Sequence, residues 1–318
     1  MVKMSSNVDI SNLGKKVTNQ KFAEFLKKKT MKLWNCTKDI FPSNSSVCLN
    51  REDFGKLKEY PYFVTYHTDD QSVMLFFTTD YFNNKVSFIC DRKFNFYKID
   101  INCYNDSVYL DSLFDCQLGV YQDGNYAIYV NDCVCLYGEN LKNSFFDARL
   151  TNIDRFLSVD GICPPNNLYV FIKPFYKFED ISYFLKSLNV DMINGINLIP
   201  NKIPLTAGSQ KNNFYWVKKG NHRVDLLVKE LDNCVEIFCY NFRKPFKYAI
   251  GDNNLKNIIK ELPGYEDNCI VEFVISETLF PLRVKNDKEY PCGLRIIESV
   301  LYSINEDIQL EELVDLLK

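Results

Sequence analysis

His67 ends a run of strand-forming residues, Tyr62-Phe63-Val64-Thr65-Tyr66, and is followed at once by Thr68, Asp69 and Asp70. An imidazole with an ordinary pKa of about 6.5 is largely neutral without tuning, so it can attack phosphorus and form a phosphoramidate. The chain holds only one other histidine, His222. Its 12 cysteines are scattered singly apart from Cys133 and Cys135, with no C-x-x-C pair. No structural zinc site is therefore expected, and no metal ligands are assigned.

The elements that must position these groups are bounded by composition. With 318 residues the chain is long enough for two domains, or one large domain with an appendage. Hydrophobic residues at 46% and aromatics at 15% are ample for packed cores. A net charge of -3 advertises neither a nucleic-acid coat nor a membrane-surface protein, although a basic groove can sit within a balanced total. No apolar run approaches the roughly 18 residues of a membrane span, so no membrane association is expected. The N-terminus reads as lacking a secretory signal, which implies reduced thiols in an intracellular protein. Heavy use of Asn, Lys, Tyr, Phe and Ile hints at an AT-rich genome, that of a parasite or a virus.

A helical pattern covers Asn19 to Trp34, with Phe22, Phe25, Leu26, Met31 and Leu33 on one apolar face. Phe41 to Leu49 reads as a turn-rich loop. Strand-like runs separated by Asn, Asp and Gly turns then extend from Phe63 to about Val134. Helical stretches are expected over Phe145–Leu157 and Phe178–Leu188. From about Leu231 the chain restarts with short strands whose number and spacing suit a small barrel such as an OB-fold. Two helices, Gly293–Ile304 and Ile308–Leu317, close it.

Several segments carry a resemblance when taken in order. Phe41 to Leu49 echoes F-P-G-x-Q-P-V-S, and Phe63 to Ser72 keeps the register of Y-V-C-E-K-T-D-G-x-R. Leu113 to Gly119 follows L-x-D-G-E-L. Asp132 to Gly138 follows D-x-L-x-x-N-G, with F-x-x-R-L echoed by Phe146 to Leu150. Asn194 to Pro200 corresponds to E-G-L-I-F-x-P, and Trp216 to Asp225 keeps the spacing of K-W-K-P…V-D-F. Arg283 to Lys288 reads like R-x-R-x-D-K, before an S-I-x-E tail from Ser303 to Leu313. Collinear from Phe41 to Leu317, these segments resemble the mRNA capping guanylyltransferases of the covalent nucleotidyltransferase superfamily, which also holds the DNA ligases.

The resemblance implies an α+β fold: a nucleotidyltransferase domain of antiparallel sheets with flanking helices over residues 1–230, then an OB-fold lid with C-terminal helices over 231–318. It implies a reaction in which a lysine amine takes GMP from GTP with Mg2+ or Mn2+ and passes it to the diphosphate 5′ end of nascent mRNA. At the nucleophile position stands His67, shorter and stiffer than lysine. The motif arginine is Ser72, the motif glycine Asp70, the two carboxylates Gln117 and Asn194, and the two lysines flanking Trp216 are Tyr215 and Val217. Lys218 or Lys219 could substitute only by a shift of register. Arg283, Lys285, Asp287 and Lys288 are expected to bind phosphates, and Asp69, Asp115, Gln117, Gly195, Trp216 and Asp225 to line the cleft, with core packing as the other reading of Trp216. Two functions stay open: a guanylyltransferase whose catalysis is impaired or rewired through His67, or an inactive relative that serves as a binding subunit. A general RNA-binding module is a third, weaker reading. The implied partners are the mRNA 5′ end, an RNA triphosphatase, a cap methyltransferase or the RNA polymerase II C-terminal tail. The implied compartment is the nucleus, or a cytoplasmic factory if the source is viral.

Overall fold

A computed structural model of the chain describes residues 8–37, 40–68, 70–121, 123–188, 193–242, 244–276 and 278–317. Two sheets and a barrel organise them. The first sheet is built on Gln71–Thr79, where Val73 to Thr78 are buried on both faces. Its neighbours run Gly14–Lys16, Phe96–Ile99, Lys85–Cys90, Gln71–Thr79, Ser112–Val120, Tyr126–Leu136 and Glu139–Asn140, and Leu168–Ile172 pairs parallel with Tyr126–Leu136.

Period-two alternation explains why this central strand is apolar throughout. Val73, Leu75 and Phe77 face one core with Phe114, Ile153 and Phe156, beneath the helix Phe146–Ser158. Met74 and Phe76 face another with Leu26, Trp34 and Phe88, beneath the helix Gln20–Trp34. The side chain of Asn19 caps that second helix by accepting from the Phe22 amide at 3.1 Å. Its buried line is Leu26, Thr30 and Trp34, one residue every four. Phe22, Phe25 and Leu33 pack beside this core as expected, whereas Met31 lies outside it and Trp34 takes the place.

The second sheet runs Tyr176–Lys177, Tyr62–His67, Gly195–Pro200, Gly208–Val217 and Asn44–Cys48. Its last member corrects the reading of Phe41–Leu49 as a loop: Asn44–Cys48 is a strand, paired in parallel with Gly208–Val217. Three strands meet closely at Gly195, which lies opposite both His67 and Val217. A β-carbon there would sit 2.1 Å from the backbone oxygen of Trp216.

The barrel, a five-stranded sheet curled as a half-barrel, runs Lys244–Gly251, Val235–Asn241, Arg223–Glu230, Ile270–Ile275 and Leu279–Val284, with the helix Asn253–Lys260 between its third and fourth strands in chain order. This is the strand order of an OB-fold. The fold class expected from the resemblance is present, but the barrel begins with Arg223–Glu230, one strand before Leu231. Its core takes in Ile297 and Val300 of the helix Leu294–Glu306. The tail then leaves the barrel. Ile308 and Leu313 pack on the second sheet with Phe214 and Trp216, and Arg51 pairs with Glu312 at 2.8 Å. Among the described residues no helix is long and apolar enough to cross a membrane.

Gly195→Ala forces a methyl group into a backbone carbonyl, so the strands must separate or shift. The expected loss is about 1–3 kcal/mol, of the size seen for overpacked cores, read as a lower urea midpoint. An unchanged midpoint would show that the sheet yields without strain.

Candidate functional site

The inner faces of the two sheets, closed on one side by the barrel, enclose connected cavities. One, of 240 Å³, has Thr65, His67, Asn197 and Tyr215 on the second-sheet wall and Ser72, Asp115, Gln117 and Lys173 on the other. A second, of 300 Å³, shares His67, Ser72, Arg92, Gln117 and Tyr215 with it and continues to Asp225, Glu272, Arg283, Lys285 and Lys288 of the barrel side. Strand alternation sends Val64 into the core beneath the second sheet and His67 into the cleft. The His67 ring stacks on Tyr215, with centroids 5.7 Å apart and planes inclined by 26°.

The expected site residues divide between cleft and frame. Asp115 and Gln117 line the first cavity and Asp225 the second. Asp69 lies outside the described residues. Gly195 and Trp216 line neither cavity: the glycine permits the close approach of strands, and the Trp216 indole donates to the Ile308 carbonyl at 2.7 Å. Trp216 is buried and packs with Phe214, Ile308 and Leu313. Lys219 sits at the surface against Asp307 at 2.6 Å, and Lys218 lines neither cavity, so a register shift places no lysine in the cleft.

The C-terminal motif reaches the cleft with its charges engaged. Arg283 Nε donates to Glu272 at 2.9 Å, Lys285 stands 3.6 Å from Asp287, and Lys288 is ion-paired with Asp225. Asp287 faces an adjoining groove beside Lys93 and Phe41. Burial works to raise the Asp225 carboxyl, but the Lys288 and Lys285 ammoniums outweigh it and hold it below its ordinary value.

Buried charge dominates the opposite wall. Arg149 grips Asp132 through two hydrogen bonds of 2.7 and 3.0 Å, joining the Asp132–Gly138 and Phe146–Leu150 motif segments. Burial, then the neighbouring Asp132, pushes the Asp115 carboxyl up to about 8. Lys173, 2% exposed, donates to Gln117 Oε1 at 2.7 Å. The same oxygen accepts from the Thr68 hydroxyl at 3.3 Å. Burial lowers the Lys173 ammonium to about 8, against the opposing pull of Asp70 and Asp115.

Lys173 and Arg92 are the residues that reading the motifs missed. Lys173 follows the apolar strand Leu168–Ile172, and a lysine ending such a strand is a weak signal in itself. Arg92 lies in a turn closed by Asp91 Oδ1, which accepts from the Lys93 and Asn95 amides at 2.9 Å.

The donor set does not fit a resident divalent cation. Hard cations favour anionic oxygens. Here two of the motif carboxylates are the amides Gln117 and Asn194, the Gln117 oxygen already faces an amine, and burial favours the neutral form of Asp115. Among the described residues no group of three or more His, Cys, Asp and Glu side chains is arranged to hold a metal.

Comparison with known proteins adds sequence and structural likenesses. Residues 6–161 match the family model "mRNA capping enzyme, catalytic domain". The chain is 24% identical over 335 aligned positions to the mRNA-capping enzyme subunit alpha of Schizosaccharomyces pombe, covering 91% of this chain and 83% of that one. Among solved structures, "Pmar-Lig_PreS3" is similar with a TM-score of 0.40 and 10% identity, over 79% of this chain and 66% of that one. A Chlorella virus DNA ligase–adenylate is similar with a TM-score of 0.37 and 10% identity, over 79% and 100%.

Arg149→Met leaves Asp132 buried without its guanidinium. The expected cost is about 3–5 kcal/mol, measured by urea denaturation, with much of it recovered when Asp132→Leu is added. Equal losses in the single and double variants would mean that packing, not charge pairing, sets the cost.

Proposed function

We propose that this chain, a member of the mRNA capping guanylyltransferase family, binds GTP in the cleft between its sheets and barrel and acts at the 5′ end of mRNA without using His67 as the nucleophile. One observation carries this reading: Arg92, Arg283, Lys285 and Lys288 converge with His67 and Gln117 around one 300 Å³ cavity. Cations from two separate parts of the fold, facing a shared space of nucleotide size, suit a polyphosphate. The guanidinium forks of Arg92 and Arg283 match phosphate oxygens bidentately, while Lys285 and Lys288 supply point charges.

The role assigned to His67 follows from its geometry. Its ring stacks on Tyr215 in the cleft wall. A stiff side chain held this way, and shorter than lysine, is displaced from the point an extended amine would occupy. Misplacement of about 1 Å already costs on the order of 10²-fold in rate. His67 therefore shapes the wall. The family implies GTP and a divalent cation; the cation is not assigned a site on this protein.

The alternative, a non-catalytic binding subunit of a capping complex, is favoured by a different observation. Each barrel cation already faces a carboxylate: Glu272, Asp287 or Asp225. An incoming phosphate must compete with these. Under either reading the proposed compartment is the nucleus, and the proposed partners are an RNA triphosphatase, a cap methyltransferase or the polymerase tail.

Titration calorimetry with GTP tests the choice. Saturable binding is expected, weakened about 10- to 100-fold by Arg283→Ala, since a hydrogen bond to a charged group contributes about 1.5–3 kcal/mol. Absence of saturable GTP binding by the folded wild-type protein overturns the nucleotide reading in favour of the binding subunit.

A further inference from the structure

We infer that Lys173 is the amine that takes the guanylyl group in this chain, a relocated nucleophile standing across the cleft from His67. The inference rests on the reading that GTP occupies this cleft.

The placement is unusual for a lysine. Lys173 directly follows Leu168–Ile172, and its amide donates to the Val130 carbonyl at 3.1 Å, so the ladder fixes its backbone. Pro174 then ends the strand direction. The residue is 2% exposed and lines the same cavity as His67, Ser72 and Asp115. Its amine lies 5.1 Å from the centroid of the Tyr66 ring and 2.7 Å from Gln117 Oε1, and that oxygen also takes the Thr68 hydroxyl. Lys173 and His67 therefore line one space, with the amine held through Gln117 against the residue that follows His67. The lysine backbone arrives from the other sheet.

The acceptor matters as much as the position. A carboxylate at residue 117 would hold the amine as a fixed ammonium ion. The neutral amide of Gln117 orients the amine and adds no negative charge of its own. Burial favours the uncharged form further, and it lowers the ammonium toward neutrality even with Asp70 and Asp115 nearby. Gln117 in place of a carboxylate and a lysine at 173 thus form one arrangement.

The chemistry balances without another reagent. The neutral Lys173 nitrogen attacks the α-phosphorus of GTP. A P–N bond forms, the bond from that phosphorus to the bridging oxygen breaks, and pyrophosphate leaves with the electron pair and takes up the proton shed by nitrogen. A diphosphate oxygen of the RNA end then attacks the same phosphorus. The P–N bond breaks, its electron pair stays on nitrogen, and the nitrogen takes a proton from solvent to become the neutral amine again.

Incubation of the full chain with α-³²P-GTP and Mg2+ or Mn2+, followed by denaturing electrophoresis and peptide mass spectrometry, tests this directly. A guanylyl adduct on Lys173 in the wild-type protein is expected. Labelling should fall at least 100-fold in Lys173→Arg, which keeps the charge and a donor toward Gln117, and in Lys173→Met. Calorimetric GTP binding by Lys173→Arg should persist. An adduct mapped to His67 or to another lysine overturns the inference, as does GTP binding by the wild type with no adduct. Failure of the wild type to bind GTP instead overturns the nucleotide reading itself, and the inference falls with it.

Discussion

The close approach of three strands at Gly195 is the constraint on which the cleft depends. With no β-carbon between Tyr62–His67 and Gly208–Val217, Gly195–Pro200 joins both across a normal ladder. Alternation along those strands then settles two faces at once. His67 and Tyr215 turn toward the cleft and stack, while Trp216 turns away and reaches the carbonyl of Ile308. One backbone contact thus positions a cavity wall and holds the C-terminal tail.

Charge in the cleft is organised by who faces whom. On the barrel side every motif cation meets an acid, and Asp225 keeps its charge despite burial because two lysines surround it. On the sheet side Arg149 absorbs the charge of Asp132, while Asp115 lies buried with no such fork and shifts toward its neutral form. The amides at Gln117 and Asn194 lower the negative charge that would otherwise have to be neutralised. A wall with fewer anions can hold a lysine that is close to losing its proton. It cannot readily cage a hard metal ion.

Much of the frame was legible in the residues. The apolar runs around Phe76, Phe114 and Ile128 became strands, and the helices around Leu26, Ile153 and Ile297 lay close to where their periodicity places them. Several motif segments also met at one cleft, through His67, Gln117, Asp225 and Arg283, while Gly195 and Trp216 fell to the frame. Long-range pairing escaped the reading. Asn44–Cys48 is rich in Ser and Asn, and only its parallel partner about 165 residues away makes it a strand. Lys173 was invisible for the same reason: nothing local says that Leu168–Ile172 lies beside Tyr126–Leu136, so nothing local points its lysine at Gln117. The early start of the barrel reflects the same limit, because Arg223–Glu230 follows the Trp216 strand after a short turn and joins its sheet only through Ile270–Ile275 and Val235–Asn241.

The tail that leaves the barrel and returns to the second sheet changes how the cleft can open. A lid attached by a single linker swings as a flap, and its whole edge lifts together. This barrel is attached twice, once through the chain between Val217 and Arg223 and again through Ile308, Leu313 and the Arg51–Glu312 pair. Two anchors define an axis, and motion about an axis is rocking. The gap widens most at the rim farthest from that line and hardly at all beside it. Any opening of the cleft would then be that of a jaw, widest at the rim away from its two pivots.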